Sequence, residues 1–218
     1  MVSISEFERG FELSSEDRAR LDTLSSVDRL QSLSSDATVE LAGLLVERCV
    51  AGEPAAWRSL HRQYYPNAMS VLRRLGVCAT QLEDCCQEVF LDVFRYLPRF
   101  RQEADFRTWL YRLCISHARV ARRRARVATL IGAIMAHSVT EAGTDPFEEG
   151  HASRKIAAAL EQLSACQRAV FVLFELEGIS GKEIAQILEC PEATVFRRLH
   201  DARKLFVEAI EAGGGRTQ

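Results

Sequence analysis

Apolar residues recur along most of this chain at intervals of three and four, the spacing of one face of an α-helix. The pattern predicts helices over 39–51 and 54–75, parted by Gly52-Glu53-Pro54, a stop followed by a proline suited to a first helical turn. Over 81–97 the apolar positions are 82, 85, 86, 89, 90, 93, 94 and 97, a wide face expected to be buried, and Pro98 ends that helix. A fourth helix is predicted from about Asp105 to 125. It is followed by a short apolar piece and then SVTEAGTDPFEEG, where turn formers and acids carry no period. Helical spacing resumes over 154–163, 166–177, 181–189 and 192–210, before the glycines at 213–215. Nothing alternates with period two. The expected fold is all-α: two small helical domains joined by an acidic flexible linker, the second containing a helix-turn-helix. The boundaries expected are an acidic, disordered extension at 1–37, a first domain at 38–126, a linker at 127–153, a second domain at 154–210 and a tail at 211–218.

The helix-turn-helix is read from local chemistry. Ser180 followed three residues later by Glu183 forms a capping box at a helix start. Ile184, Ile187 and Leu188 then keep helical spacing, and Pro191 can only begin a new helix. In that second helix Val195, Leu199, Ala202 and Phe206 make one apolar stripe, with Arg197, His200 and Lys204 opposite it. A helix, a tight turn and a cationic second helix suit entry into the major groove of DNA. A solvated helical hairpin would share the pattern, so the remainder of the chain has to decide.

Charge changes the picture. The formal net charge is only −2, yet between 95 and 126 there are ten arginines against two acids. Segments 1–38 and 127–153 each carry a net −4, so the near-neutral total hides either a local polyanion site or a very unusual solvated face. No apolar run approaches the ~20 residues that span a bilayer, and the acidic amino terminus lacks the apolar core of a signal peptide, so no membrane insertion is expected. The seven cysteines lack metal-ligand spacing, and most fall on apolar helix faces, as reduced core residues would. Adjacent Cys85 and Cys86 leave a redox role as the minor alternative. His61, His117, His137, His151 and His200 are scattered, with no nucleophile–base arrangement, phosphate loop or metal cluster. Neither an enzyme nor a cofactor or metal is expected.

Two segments carry a family likeness. QLEDCCQEVFLDVFRYLPRFRQEADFRTWLYRLCISHARVARRR, together with LEQLSACQRAVFVLFELEGISGKEIAQILECPEATVFRRLHDARKLF, resembles bacterial RNA polymerase sigma factors of the extracytoplasmic-function (ECF) group, in the sigma-70 family. The likeness covers about 39–125 and 154–207, in the right order. It implies a promoter-specificity subunit whose partners are core RNA polymerase and promoter DNA, with an anti-sigma protein as a further partner. The chain is then expected to be cytoplasmic and monomeric when free.

The resemblance also implies site residues. EDCCQEVFLDVF looks like the core-binding helix, giving Asp84, Gln87, Glu88, Phe90 and Leu91; Cys85 and Cys86 stand where Leu-Val is usual. On their own, Asp84 and Glu88 would read as helix solvation. FRTWLYRL and the arginine run resemble the segment that opens the −10 element, giving Arg107, Arg112, Ser116, His117, Arg119, Arg122 and Arg123. Phe106, Trp109 and Tyr111 interleave with these cations; Trp109 itself fits core packing better than base capture. Ser116 and Val120 replace a frequent Asn and Asp, which leaves the −10 base preference open. The helix-turn-helix implies −35 contacts from Glu192, Thr194, Phe196, Arg197, Arg198 and Arg203. Phe196, where Lys is common, could meet a thymine methyl or pack against its own domain. A stand-alone helix-turn-helix regulator is the alternative function, and an adaptor using 81–97 alone is a weaker one.

Overall fold

The helices form where the periodicity places them, with their ends adjusted by local chemistry. In the computed structural model, which describes residues 35–100, 105–135 and 151–214, every described element is helical. Helix α1 spans Ser35–Val50, α2 Pro54–Arg74, α3 Ala79–Tyr96 and α4 Phe106–Met135, with a 3-10 turn at Leu97–Arg99 after α3. In the second half α5 spans His151–Glu161, α6 Ala165–Phe171, α7 Gly181–Leu188 and α8 Glu192–Gly214. A π-helical stretch, Val172–Leu176, continues α6, so the stretch 166–177 is helical as expected but changes its winding midway.

Several ends differ from expectation: α5 opens at His151, inside the predicted linker, and α8 runs to Gly214, inside the predicted tail. Helix α1 opens at Ser35, inside the predicted extension, the remainder of which lies outside the described residues. Helix α4 runs to Met135, past 125, so the first residues assigned to the linker continue the helix. No proline or glycine interrupts 126–131, and a helix already formed propagates at little cost. Residues 136–150 lie outside the described residues.

Helices α1 to α4 pack around one another, with α3 and α4 in close contact; α5, α6 and α7 gather around α8. Leu60, Leu72, Val89, Val93, Leu97 and Leu110 fill the first core, and Phe171, Leu173, Ile184, Val195 and Leu199 the second. Helix α4 also meets α7, and the buried side chains of both halves form one continuous cluster. Three glycines take a left-handed backbone at turns: Gly52 (φ +84°) after α1, Gly76 (φ +85°) after α2 and Gly178 (φ +67°) after the π stretch.

Cys85, Cys86 and Cys114 lie buried where α3 packs on α4. Burial raises the Cys85 thiol to about 11, and burial with the Cys85 neighbour raises Cys86 to about 12. Their thiolate populations at pH 8 are therefore negligible, which makes them poor nucleophiles. With iodoacetamide at pH 8, exposed Cys78 is expected to react first, while Cys85, Cys86 and Cys114 stay unmodified until the fold is denatured. Peptide mapping checks this, and early labelling of Cys85 or Cys86 would restore the redox reading.

Candidate nucleic-acid interface

The capping box read from the sequence is formed: Ser180 Oγ accepts from the Glu183 N–H at 3.3 Å, and Glu183 accepts back from the Ser180 N–H at 3.1 Å. A second box, Ser164 with Gln167, starts α6 in the same way. Helix α7 ends at Glu189, whose backbone is left-handed (φ 51°) although it is not glycine. That costly conformation turns the chain into Pro191 and aims α8. Val195, Leu199, Ala202 and Phe206 are all buried, as the stripe requires, with Phe206 stacked on Phe171 at 4.6 Å.

The outward side of α8 holds Glu192, Arg197, His200 and Lys204, with Thr194 half-buried. Arg198 is half-buried, its Nη1 3.7 Å from the Cys190 sulfur. Phe196 packs on its own domain, over Gly181 and 6.3 Å from Phe174, in space that a Cβ at position 181 would fill. Arg203 is turned inward. It donates to Glu175 at 2.6 Å and its guanidinium lies 5.6 Å from the Phe174 ring centre. Of the six −35 residues implied by resemblance, Glu192, Thr194, Arg197 and Arg198 are thus grouped at the head of the helix, whereas Phe196 and Arg203 serve packing.

Asp105, just before helix α4, accepts from the Arg107 N–H at 3.3 Å. Arg112, Ser116, Arg119 and Arg123 share one exposed stripe along it. The other three −10 residues face elsewhere. Arg107 is half-buried beside Asp105, and Arg122 donates to the Leu75 carbonyl at 3.2 Å, fastening α4 to the end of α2. His117 turns to α3, where its Nε2 lies 2.9 Å from Asp92 and its Nδ1 3.4 Å from Glu88. The aromatic residues are inside: Phe106 and Tyr111 are buried, and Trp109 packs 5.2 Å from Phe100 and 5.7 Å from Phe106.

On α3, Asp84, Gln87, Glu88 and Leu91 lie together on the exposed side. Phe90 is half-buried against His61 and Tyr65, at 4.7 and 5.8 Å. Phe94, expected on the buried face, is 61% exposed and 4.9 Å from Trp57. The period alone put Phe94 inside; packing leaves it at the margin, touched by Trp57 of α2 but mostly open to solvent. Together with 56%-exposed Leu91 it widens the apolar part of this face. Glu88 is shared, since Arg124 of α4 also lies 3.8 Å away.

Where the two halves meet, Tyr111 and Arg112 are joined by residues that no motif marks, Glu177, Arg74, Glu189 and Arg168. Glu177, just after the π stretch, accepts from Arg74 of α2 at 2.7 Å and from the Tyr111 hydroxyl at 2.6 Å. Its side chain is only 5% exposed. Burial, then the Glu177 charge, push the Tyr111 hydroxyl well above its ordinary range. Arg112 pairs with Glu189 at the turn before α8. Beside them Arg168 is buried against Gly76 with its Nε unpartnered, and burial and Arg122 lower it to about 10. The bonded partners are 66 to 103 positions apart in sequence, so no spacing could announce them.

A helix-turn-helix, an arginine-striped helix and an acid–apolar face on separate elements have the chemistry suited to a DNA-binding protein that works with a protein partner. Residues 60–127 match the Sigma-70 region 2 family and 153–206 match Sigma-70, region 4. The chain is 30% identical to the RNA polymerase sigma-H factor of Pseudomonas aeruginosa over 186 residues, 77% of this chain and 92% of that one. It is 31% identical to the ECF RNA polymerase sigma-E factor of Escherichia coli K12 over 187 residues, 77% of this chain and 93% of that one. It therefore belongs to the ECF sigma factors, the RNA polymerase subunits that direct initiation to specific promoters. The fold resembles CnrH in its complex with the cytosolic domain of CnrY, with TM-score 0.59 and 22% identity over 78% of this chain and 97% of that one. It also resembles the sigma factor RpoE bound to the anti-sigma factor NepR from Bartonella quintana, with TM-score 0.59 and 19% identity over 71% and 96%. Among the described residues no helix is long and apolar enough to cross a membrane, and no cluster of His, Cys, Asp and Glu could hold a metal.

Proposed function

We propose that the three surfaces divide the work of initiation. Helix α3 binds core polymerase through Asp84, Gln87 and Leu91, with Phe94 and Trp57 extending the apolar contact. The stripe Arg112, Ser116, Arg119 and Arg123 engages the −10 region, where arginines bind phosphate and hold the separating strands. Arg197 and Arg198, beside Glu192 and Thr194, read the −35 duplex from the first turns of α8. The domains are 38–126 and 154–210, and the chain acts in the cytoplasm without catalytic activity of its own. The complex of the sigma factor RpoE with the anti-sigma factor NepR supports an anti-sigma protein as a partner here too.

The observation that carries this reading is the segregation of the surfaces. An acid–apolar face and a cationic stripe lie on two helices packed together, with the second cationic head in a different unit. A stand-alone regulator would have no use for the first two. Reconstitution with core polymerase, followed by run-off transcription on a genomic promoter library, is expected to give initiation only when both components are present. Specific binding to palindromic duplexes by a dimer of this chain alone would establish the stand-alone regulator instead.

A further inference from the structure

We infer that Arg168, with Arg122 and Arg126, forms a binding site for a small phosphate-bearing anion at the turn between α2 and α3. The inference goes beyond the promoter reading and does not depend on which arginines contact DNA. Arg168, on α6, is buried with its Nε unpartnered. Its guanidinium lies against the backbone of Gly76: a Cβ there would stand 3.1 Å from Arg168 Cζ and 3.5 Å from Arg122 Cζ. Two guanidinium groups from different elements therefore converge on one turn. Arg126, one helical turn beyond Arg122, adds its positive field to both.

No counter-charge completes the group. Among the described residues, no carboxylate pairs with Arg122, Arg126 or Arg168. Glu161 reaches Arg122 and Arg168 only through its field.

The local acceptor is already spent. A helix C-terminus favours a cation, but the Leu75 carbonyl at the end of α2 is taken by Arg122. Burial and then Arg122 lower the Arg168 guanidinium to about 10, which still leaves it charged at neutral pH. A buried charge without a partner is costly, and an orphaned buried donor calls for an ion or ligand to complete it. Three cations need more than one negative charge, and the guanidinium fork matches phosphate oxygens two at a time. A phosphoryl dianion therefore suits the group better than a single carboxylate. Helix α3 begins three residues after Gly76, and Cys78 at its N-cap supplies no side-chain cap. Its first amide donors add to the pull on an anion. An occupant offsets positive charge on α4, so its concentration tunes the field that this arginine-striped helix offers to other phosphates.

The test uses the full-length chain with inorganic phosphate and pyrophosphate as probes, each against chloride of equal ionic strength. Phosphate at about ten times its dissociation constant is expected to raise the thermal midpoint by ~3–5 °C. The Gly76 amide should shift in a saturable way in proton–nitrogen correlation spectra. Arg168→Met removes the orphaned charge, so it should keep or raise the midpoint without phosphate and abolish both responses. Arg168→Lys, which keeps the charge and loses the fork, should respond more weakly than the wild type. If Arg168→Met does not fold, Arg126→Gln at an exposed position carries the test, with phosphate affinity expected to fall roughly fivefold. A midpoint that moves no further in phosphate or pyrophosphate than in chloride overturns the site. So does an undiminished response in Arg168→Met or, where that fails to fold, in Arg126→Gln, which marks an adventitious ion only. A Gly76 shift produced by a short DNA duplex and by neither probe assigns the arginines to nucleic-acid backbone and overturns the small-anion site.

Discussion

A chain carrying Asp84→Arg and Leu91→Arg is expected to lose core polymerase while keeping its helical content and thermal midpoint. Both side chains are exposed on α3, and the buried face of that helix is made by Leu82, Cys85, Cys86, Val89 and Val93. Folding therefore has little stake in either position. Binding has a large one: anchors at the centre of an interface cost ~2 kcal/mol or more each when lost, and an arginine there also has to be desolvated. The pair should weaken association by ~1,000-fold or more, which abolishes co-purification. Glu88 is the poorer choice for this experiment, because it also faces His117 and Arg124 and its reversal would disturb α4. Undiminished co-purification of the double variant would remove α3 from the core interface.

The second large effect separates the two DNA-facing helices by the kind of information each reads. Arg197→Ala should relax −35 discrimination by ~1–3 kcal/mol, the worth of one bidentate base contact, with promoter opening little changed. Arg119→Ala combined with Arg123→Ala should do the reverse. Those two exposed arginines would contact phosphate, so their loss weakens binding on all sequences alike and lowers the salt slope by ~2 units. Opening of the −10 region should fall in parallel. Arg122 is left out of this pair because it fastens α4 to the Leu75 carbonyl, and its removal would confound folding with binding. Holoenzyme binding across a salt series and permanganate footprinting of the melted region measure both. If Arg197→Ala keeps full discrimination, α8 does not read the −35 bases through that side chain.

Much of this protein was legible because its information is local. Helix starts are written in capping residues and prolines, and Ser180 with Glu183 forms the expected box. Burial along α8 follows the stripe of Val195, Leu199, Ala202 and Phe206 without exception. The likeness to sigma factors rests on residues adjacent in sequence, and both family matches fall on those segments. Orientation at the edge of a helix was less legible. Arg197 and Arg203 belong to one helix and carry one charge, yet the first faces solvent and the second is drawn inward by Glu175. Phe94 fits the buried period and still lies exposed.

The sequence by itself determined the helical class, the order of the two helical units, the helix-turn-helix and the family, since each depends on periodicity, caps and short motifs within one or two turns. Only the tertiary structure decided which arginines of α4 face outward, that Phe196 packs over Gly181, and that Glu177 joins the halves through Arg74 and Tyr111. The physical reason is range. A helix is set by bonds between residues three or four apart, whereas the partner of a buried carboxylate is whichever donor the folded chain brings within 3 Å, and that donor's position in the sequence obeys no period.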